Sequence, residues 1–89
     1  MQYVYILQSE KDNEFYIGCT QDLKKRLILH NAKKVLATKR RTPLKIIYYE
    51  AFLNKNDAFA REKFLKTGWG RNQLARILEH FLNDQKFGG

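Results

Sequence analysis

Three side chains stand where helical spacing asks for apolar ones. At about 100° per residue, Leu23, Arg26, Leu27 and His30 fall on one stripe of a helix, while Ala58, Glu62, Leu65 and Trp69 share a stripe of a second. The leucines point to a core, so Arg26, His30 and Glu62 are expected to border it. An arginine, a histidine and a carboxylate in such positions cost stability unless they are paired or functional. Two structural arrangements would satisfy them: a partly buried Arg26–Glu62 ion pair, and a core-edge His30 whose ring nitrogens are hydrogen-bonded. The functional arrangement is a polar site, and the surrounding charge suggests what it would act on. Residues 23–49 hold nine Lys and Arg and no acid, in a chain whose seventeen basic and nine acidic residues give a formal charge of +8. A concentrated positive segment on a folded domain calls for a polyanion, usually nucleic acid, although a solvated charged loop has the same composition.

Positioning these side chains needs strands as well as helices. Residues 3–8, Tyr-Val-Tyr-Ile-Leu-Gln, are β-branched and aromatic, and Phe15–Cys19 reads the same way. The polar stretch between them, with Asp12-Asn13 at its tip, makes the pair an antiparallel hairpin. A helix follows, capped by Thr20 or Asp22 and running to His30 or Asn31. Residues 32–43 have no period and end in the loop signal Thr42-Pro43. Leu44–Phe52 is apolar enough for the central strand. Asn54 or Asn56 caps a second helix, with Asp57 in its first turn and an end near Thr67-Gly68. After Trp69-Gly70, the residues Leu74, Ile77, Leu78, Phe81 and Leu82 recur at the spacing of a third helix, with Asn72 as its cap. Phe87-Gly88-Gly89 is expected to be a frayed tail. The order β-β-α-β-α-α predicts an α/β (α+β) fold: one domain over 1–89, with a three-stranded, mainly antiparallel sheet flanked by helices.

Composition removes several classes. The 89 residues are 44% apolar, which suits a folded core and argues against disorder. No apolar run approaches the roughly 20 residues that span a bilayer, so no membrane partner is expected. The single cysteine, Cys19, forms no internal disulfide, which fits a reducing cytoplasm, and Cys19 is read as a packing residue. With His30 and His80 as the only histidines, a structural zinc site lacks soft ligands.

The ordered motifs then carry a resemblance. Tyr3-Val4-Tyr5, followed by Tyr16-Ile17-Gly18, resembles the signature of the GIY-YIG nuclease superfamily. The likeness continues through Arg26-Leu27, His30-Asn31, Thr42-Pro43, Tyr48-Tyr49-Glu50 and Arg61-Glu62-Lys63, in the order and spacing of the short stand-alone bacterial branch. Tyr3 replaces the glycine of the first family motif, as short members commonly allow. The resemblance implies a three-stranded antiparallel sheet flanked by helices, and water attack on phosphorus with one divalent metal, Mg²⁺ or Mn²⁺, held by the helix glutamate, here Glu62. It maps the motif tyrosines to Tyr5 and Tyr16, the helix arginine to Arg26 and the histidine one turn later to His30. Arg26 would present its planar fork to phosphate. Tyr5, or a relay through Tyr16 or His30, would take the proton from water. A phenol near pKa 10 needs neighbouring positive charge for that, which Arg26 and the metal would supply. Gly18 suits a strand end close to substrate, or an ordinary strand end.

Lys33, Lys34, Lys39, Arg40 and Arg41 form the expected phosphate track. The leading expectation is therefore a metal-dependent endonuclease, with structure-selective DNA cleavage in repair or recombination implied by relatives alone. DNA stands ahead of RNA as partner, with no obligate protein partner evident. The alternatives are a basic nucleic-acid-binding module that keeps the nuclease fold with little or no catalysis, and an RNA- or ribosome-associated protein.

Overall fold

The protein is described by a computed structural model covering residues 1–86; the expected tail, Phe87-Gly88-Gly89, lies outside the described residues. Three strands, β1 (Gln2–Ser9), β2 (Phe15–Thr20) and β3 (Leu44–Phe52), form one wholly antiparallel sheet in the order β2-β1-β3. The apolar run at Leu44–Phe52 is thus an edge strand, and β1, buried along almost its whole length, is the central one. β1 is the shorter and less apolar of the two, with polar residues at both ends, and an edge strand can be as apolar as a central one when helices cover it.

The strand period of two sorts β1 onto two faces. Val4 and Ile6, with Ile17, pack against Ala58, Leu65 and Leu74 of the later helices. Tyr5 and Leu7, with Leu44, pack against Tyr16, Leu23, Leu27 and Ile46 on the other face. The sheet is therefore sandwiched, with the first helix on the Tyr5 face. That helix, α1 (Leu23–Asn31), is capped by Asp22, whose side chain accepts from the Lys25 N–H, while Thr20 Oγ1 accepts from the Asp22 N–H at 3.1 Å. Asn31 closes it by bonding both backbone groups of Leu44, at 2.7 and 2.9 Å, so the end of α1 is pinned to the start of β3. The hairpin tip lies where expected, with Asn13 at φ 61° and Asp12 Oδ1 accepting from Glu14 N–H at 2.9 Å.

The second helix, α2 (Lys55–Leu65), is capped by Asn54, and the third, α3 (Gly68–Ile77), by Thr67. The Thr67 cap corrects the reading of Asn72 as cap. It also removes Trp69 from the α2 stripe: α2 stops at Leu65, and Trp69 lies in the first turn of α3. The corner is tight because Gly70 is buried against the Phe64 carbonyl and the Leu65 backbone, where any Cβ would clash. The single third helix becomes two, α3 and α4 (Glu79–Lys86), broken at the buried Leu78. No Gly or Pro marks the break. It lets α4 turn back to the sheet, where Gln85 exchanges two amide hydrogen bonds with the buried Gln8, at 2.6 and 2.9 Å.

One ion pair ties the two layers. Arg61 of α2 donates from Nε and Nη2 to Glu50 of β3, at 2.8 and 3.0 Å, and the Tyr48 hydroxyl donates to the same carboxylate at 2.7 Å. The guanidinium holds the Glu50 carboxyl below its ordinary value, and burial, helped by Glu50, pushes Tyr48 up to about 12. A carboxylate with a depressed folded pKa stabilises the fold above the unfolded pKa, and that contribution is lost as pH falls through the folded value. Glu50→Gln is expected to lower unfolding free energy by about 2 kcal/mol at neutral pH. Denaturant titrations should show the gap between wild type and variant closing below about pH 4.

Candidate active site

β1 supplies Tyr5, β2 supplies Tyr16 and Gly18, and α1 supplies Arg26 and His30. His30 does not border the core as expected: it is fully buried, the only buried residue of α1. It takes that place because both ring nitrogens are satisfied. Nε2 lies 3.0 Å from the Tyr5 hydroxyl and Nδ1 lies 2.6 Å from Thr38 Oγ1. The ring also meets Tyr16 and Tyr5 edge-on, with centroids 5.1 and 5.9 Å away. Arg26 donates from Nε to the Tyr5 hydroxyl at 3.4 Å. One buried phenol oxygen is thus shared by an imidazole and a guanidinium, beside a second phenol.

The register explains how the ring fits. Tyr5 is paired with Gly18 across β1 and β2, and its ring lies over that residue. A Cβ at position 18 would stand 2.5 Å from the Tyr5 hydroxyl oxygen and 2.6 Å from the ring carbon that bears it. Gly18 therefore serves the placement of the Tyr5 hydroxyl from inside β2, a role that neither strand-end reading of its sequence position named.

Burial raises the Tyr5 hydroxyl above its ordinary value, against the pull of Arg26, and the charges of Tyr16 and Glu62 push the same way as burial. Arg26 alone therefore does not make Tyr5 a ready base. Burial and the Arg26 charge both lower His30, so at neutral pH its imidazole is neutral and can accept a proton.

Glu62 comes from the other layer, on α2. It does not pair with Arg26. Its Oε2 accepts from Lys66 Nζ at 3.0 Å, and its side chain is 22% exposed. The carboxylate lies close enough to act on both Tyr5 and Cys19; burial, with Glu62 second, pushes the Cys19 thiol up to about 12. Cys19 packs in the α2-side core, as expected, and is no nucleophile at neutral pH. Among the described residues no three His, Cys, Asp or Glu converge on one point. The donor set is one partly exposed carboxylate already holding a cation, the Lys66 ammonium. That suits a hard divalent ion that keeps most of its waters and borrows oxygens from a phosphate, and does not suit a cage of protein ligands.

The expected phosphate track is only partly continuous. Lys33, Lys34, Lys39 and Arg40 are exposed. Arg41 is set apart from them: its guanidinium turns to Asp12 at 3.6 Å. There it lines a cavity of about 550 Å³ with Gln8, Phe15, Arg71 and Leu74, on the sheet face away from Tyr5. That cavity is not the catalytic candidate, whose groups gather on the α1 face and at the β2 edge.

Sequence reasoning missed Thr38. It sits in a stretch without period, and nothing in its neighbours marks it, yet it is fully buried and fixes the far nitrogen of His30. Thr38→Val keeps the shape and leaves Nδ1 without a partner, so a loss of about 1–3 kcal/mol is expected in chemical denaturation. Thr38→Ser should restore most of it. The ¹⁵N shifts of the His30 ring, which report the tautomer, should move in the valine variant and return in the serine variant.

Comparison with known proteins gives the geometry its context. The GIY-YIG catalytic domain matches residues 1–75. The chain is 40% identical over 65 residues to a UPF0213 protein of Streptococcus pneumoniae serotype 4, covering 72% of this chain and 65% of that one. It is 40% identical over 79 residues to a UPF0213 protein of Clostridium perfringens, covering 88% and 83%. Among solved structures it is similar to the solution NMR structure of a UPF0213 protein from Bacillus halodurans, with TM-score 0.53, 31% identity, and 86% and 85% of the two chains covered.

Proposed function

The chain belongs to the GIY-YIG catalytic domain family, and from that premise we propose that it is an endonuclease. It hydrolyses phosphodiester bonds in nucleic acid, DNA ahead of RNA, with one divalent cation, Mg²⁺ or Mn²⁺, held at Glu62. The observation that carries this reading is the Tyr5 hydroxyl shared between neutral His30 and charged Arg26. A structural tyrosine needs one partner; this one has a proton acceptor on one side and a phosphate-binding cation on the other.

The division of labour follows from the contacts. Arg26 offers its remaining guanidinium N–H groups to the phosphoryl oxygens. Tyr5, once its own proton has left through His30 Nε2, takes the proton of the attacking water, with His30 Nδ1–H held on Thr38. Tyr16, packed on His30, closes the side of the relay and offers its hydroxyl to water or phosphate. Glu62, which α2 brings beside Cys19 of β2, would hold the cation. When bound, the cation supplies Lewis-acid polarisation of the phosphoryl group, relief of charge on the leaving oxygen and the positive field that Tyr5 lacks without it.

The raised Tyr5 and the ammonium on Glu62 also favour the alternative, a basic binding module with little catalysis. Labelled single-stranded, duplex, flap and four-way-junction DNA, with RNA of equal length alongside, incubated with Mg²⁺, Mn²⁺ or EDTA, separates the two. Cutting of DNA with either cation and none in EDTA is expected. Binding without cutting under every condition would withdraw the catalytic reading.

A further inference from the structure

The only tryptophan of the chain, Trp69, is 80% exposed in the first turn of α3. Burying an indole is worth more than burying almost any other side chain, so an indole left in water on a small domain leaves that stabilisation unused. The corner that carries it is closely packed: Thr67 caps α3 and Gly70 is pressed on the end of α2, with its neighbour Trp69 turned outward. Trp69 thus contributes nothing to the α2–α3 packing that its own turn depends on.

It ends a strip. Lys55, Phe59 and Lys63 recur at steps of four residues on the outer face of α2, and Lys66, its C-cap in helical conformation, continues that face. Phe59 is 45% exposed. Glu62 lies on the margin of the same face, with Lys66 Nζ 3.0 Å from its Oε2. Only Thr67 and Gly68 lie between Lys66 and Trp69, so their Cα atoms stand within about 11 Å. Exposed rings interleaved with lysines offer π-faces to bases and ammonium groups to the phosphates between them. A duplex already spends its base faces on stacking, whereas an unpaired strand has them free. A second copy of this chain is a poor occupant, because it would set lysines against lysines.

We propose that the strip from Phe59 to Trp69 is a platform for an unpaired nucleic-acid strand leading to Glu62, so that the substrate class is nucleic acid with a single-stranded segment. The strand's destination rests on the nuclease reading above; the stacking on Trp69 does not.

The lone tryptophan reports on itself. In EDTA, a single-stranded oligothymidylate of about 12 nucleotides should quench Trp69 emission by more than half, and a blunt duplex of equal length should quench it little. Trp69→Ala, which removes an exposed side chain and should leave the melting temperature unchanged, is expected to weaken single-strand binding read by anisotropy about 10-fold and duplex binding less than 2-fold. Equal quenching by both forms, no quenching, or unchanged single-strand affinity in the variant would overturn the platform. So would a blue shift of Trp69 emission that grows with protein concentration in the absence of nucleic acid, which would assign the face to a second copy. Quenching without cleavage of any substrate leaves the platform and removes the nuclease; cleavage without quenching does the reverse.

Discussion

Glu62→Ala is expected to abolish cation-dependent cleavage, with a fall of roughly 10²–10⁴-fold in single-turnover rate, while the protein stays folded. The size follows from the several kcal/mol that a cation contributes at a phosphoryl centre. Among the described residues no three acids, histidines or cysteines come together to hold a cation, so no ready-made site exists to take over from Glu62. Stability should hardly move, because among the described residues Glu62 forms its salt bridge with Lys66, the C-cap of α2, which is 53% exposed on its side chain. Such a pair contributes about 0.3–0.5 kcal/mol, and alanine is a good helix former. Cleavage by the purified variant at the wild-type rate would remove Glu62 from the site. Salt-sensitive binding that survives in the variant is expected, because the exposed cations of the loop, Lys33, Lys34, Lys39 and Arg40, are untouched.

Tyr5→Phe is expected to be the next most damaging change, and unlike Glu62→Ala it should affect both rate and stability. Removing the hydroxyl takes away the proposed base, for a loss of about 10²–10⁴-fold. It also strips a buried His30 nitrogen of its partner and Arg26 of an acceptor, at about 1–3 kcal/mol of folding free energy. The pH profile separates the two effects. Because the Tyr5 hydroxyl is held above its ordinary value, wild-type cleavage should climb with pH from about 6 to about 9 as more of it loses its proton. The phenylalanine variant should keep any residual rate without that slope. A variant that is destabilised but cuts with an unchanged profile would make Tyr5 a packing residue and move the proton chemistry elsewhere.

Much of the frame was legible along the chain because it is local. The hairpin is visible as two β-branched aromatic runs around Asp12-Asn13, and the α1 cap as Thr20 and Asp22. The start of α2 at Asn54 follows from capping chemistry that needs no knowledge of the rest of the fold. The break at Leu78 was not legible, because the apolar spacing runs on through it and only the reach of Gln85 to Gln8 shows why the helix turns. The end of α2 was legible in Thr67-Gly68, close to the Leu65 where the helix stops, but the place of Trp69 was not, since the stripe through Leu65 runs in register to a residue that belongs to α3.

The site divides in the same way. Sequence by itself determined which groups are present and that they ride on an α+β frame of known order: two phenols, an arginine and a histidine one turn apart, a helix glutamate and a basic loop. These are properties of residue type and short-range period. Tertiary structure alone decided which groups meet. It buried His30 completely instead of leaving it at the margin, brought Thr38 from the aperiodic loop onto its Nδ1, and laid the Tyr5 ring over Gly18. It also gave Glu62 to Lys66 instead of Arg26, and turned Arg41 away toward Asp12. Those outcomes depend on strand register and on which face of the sheet each helix covers, and both are settled by packing between segments far apart in the chain.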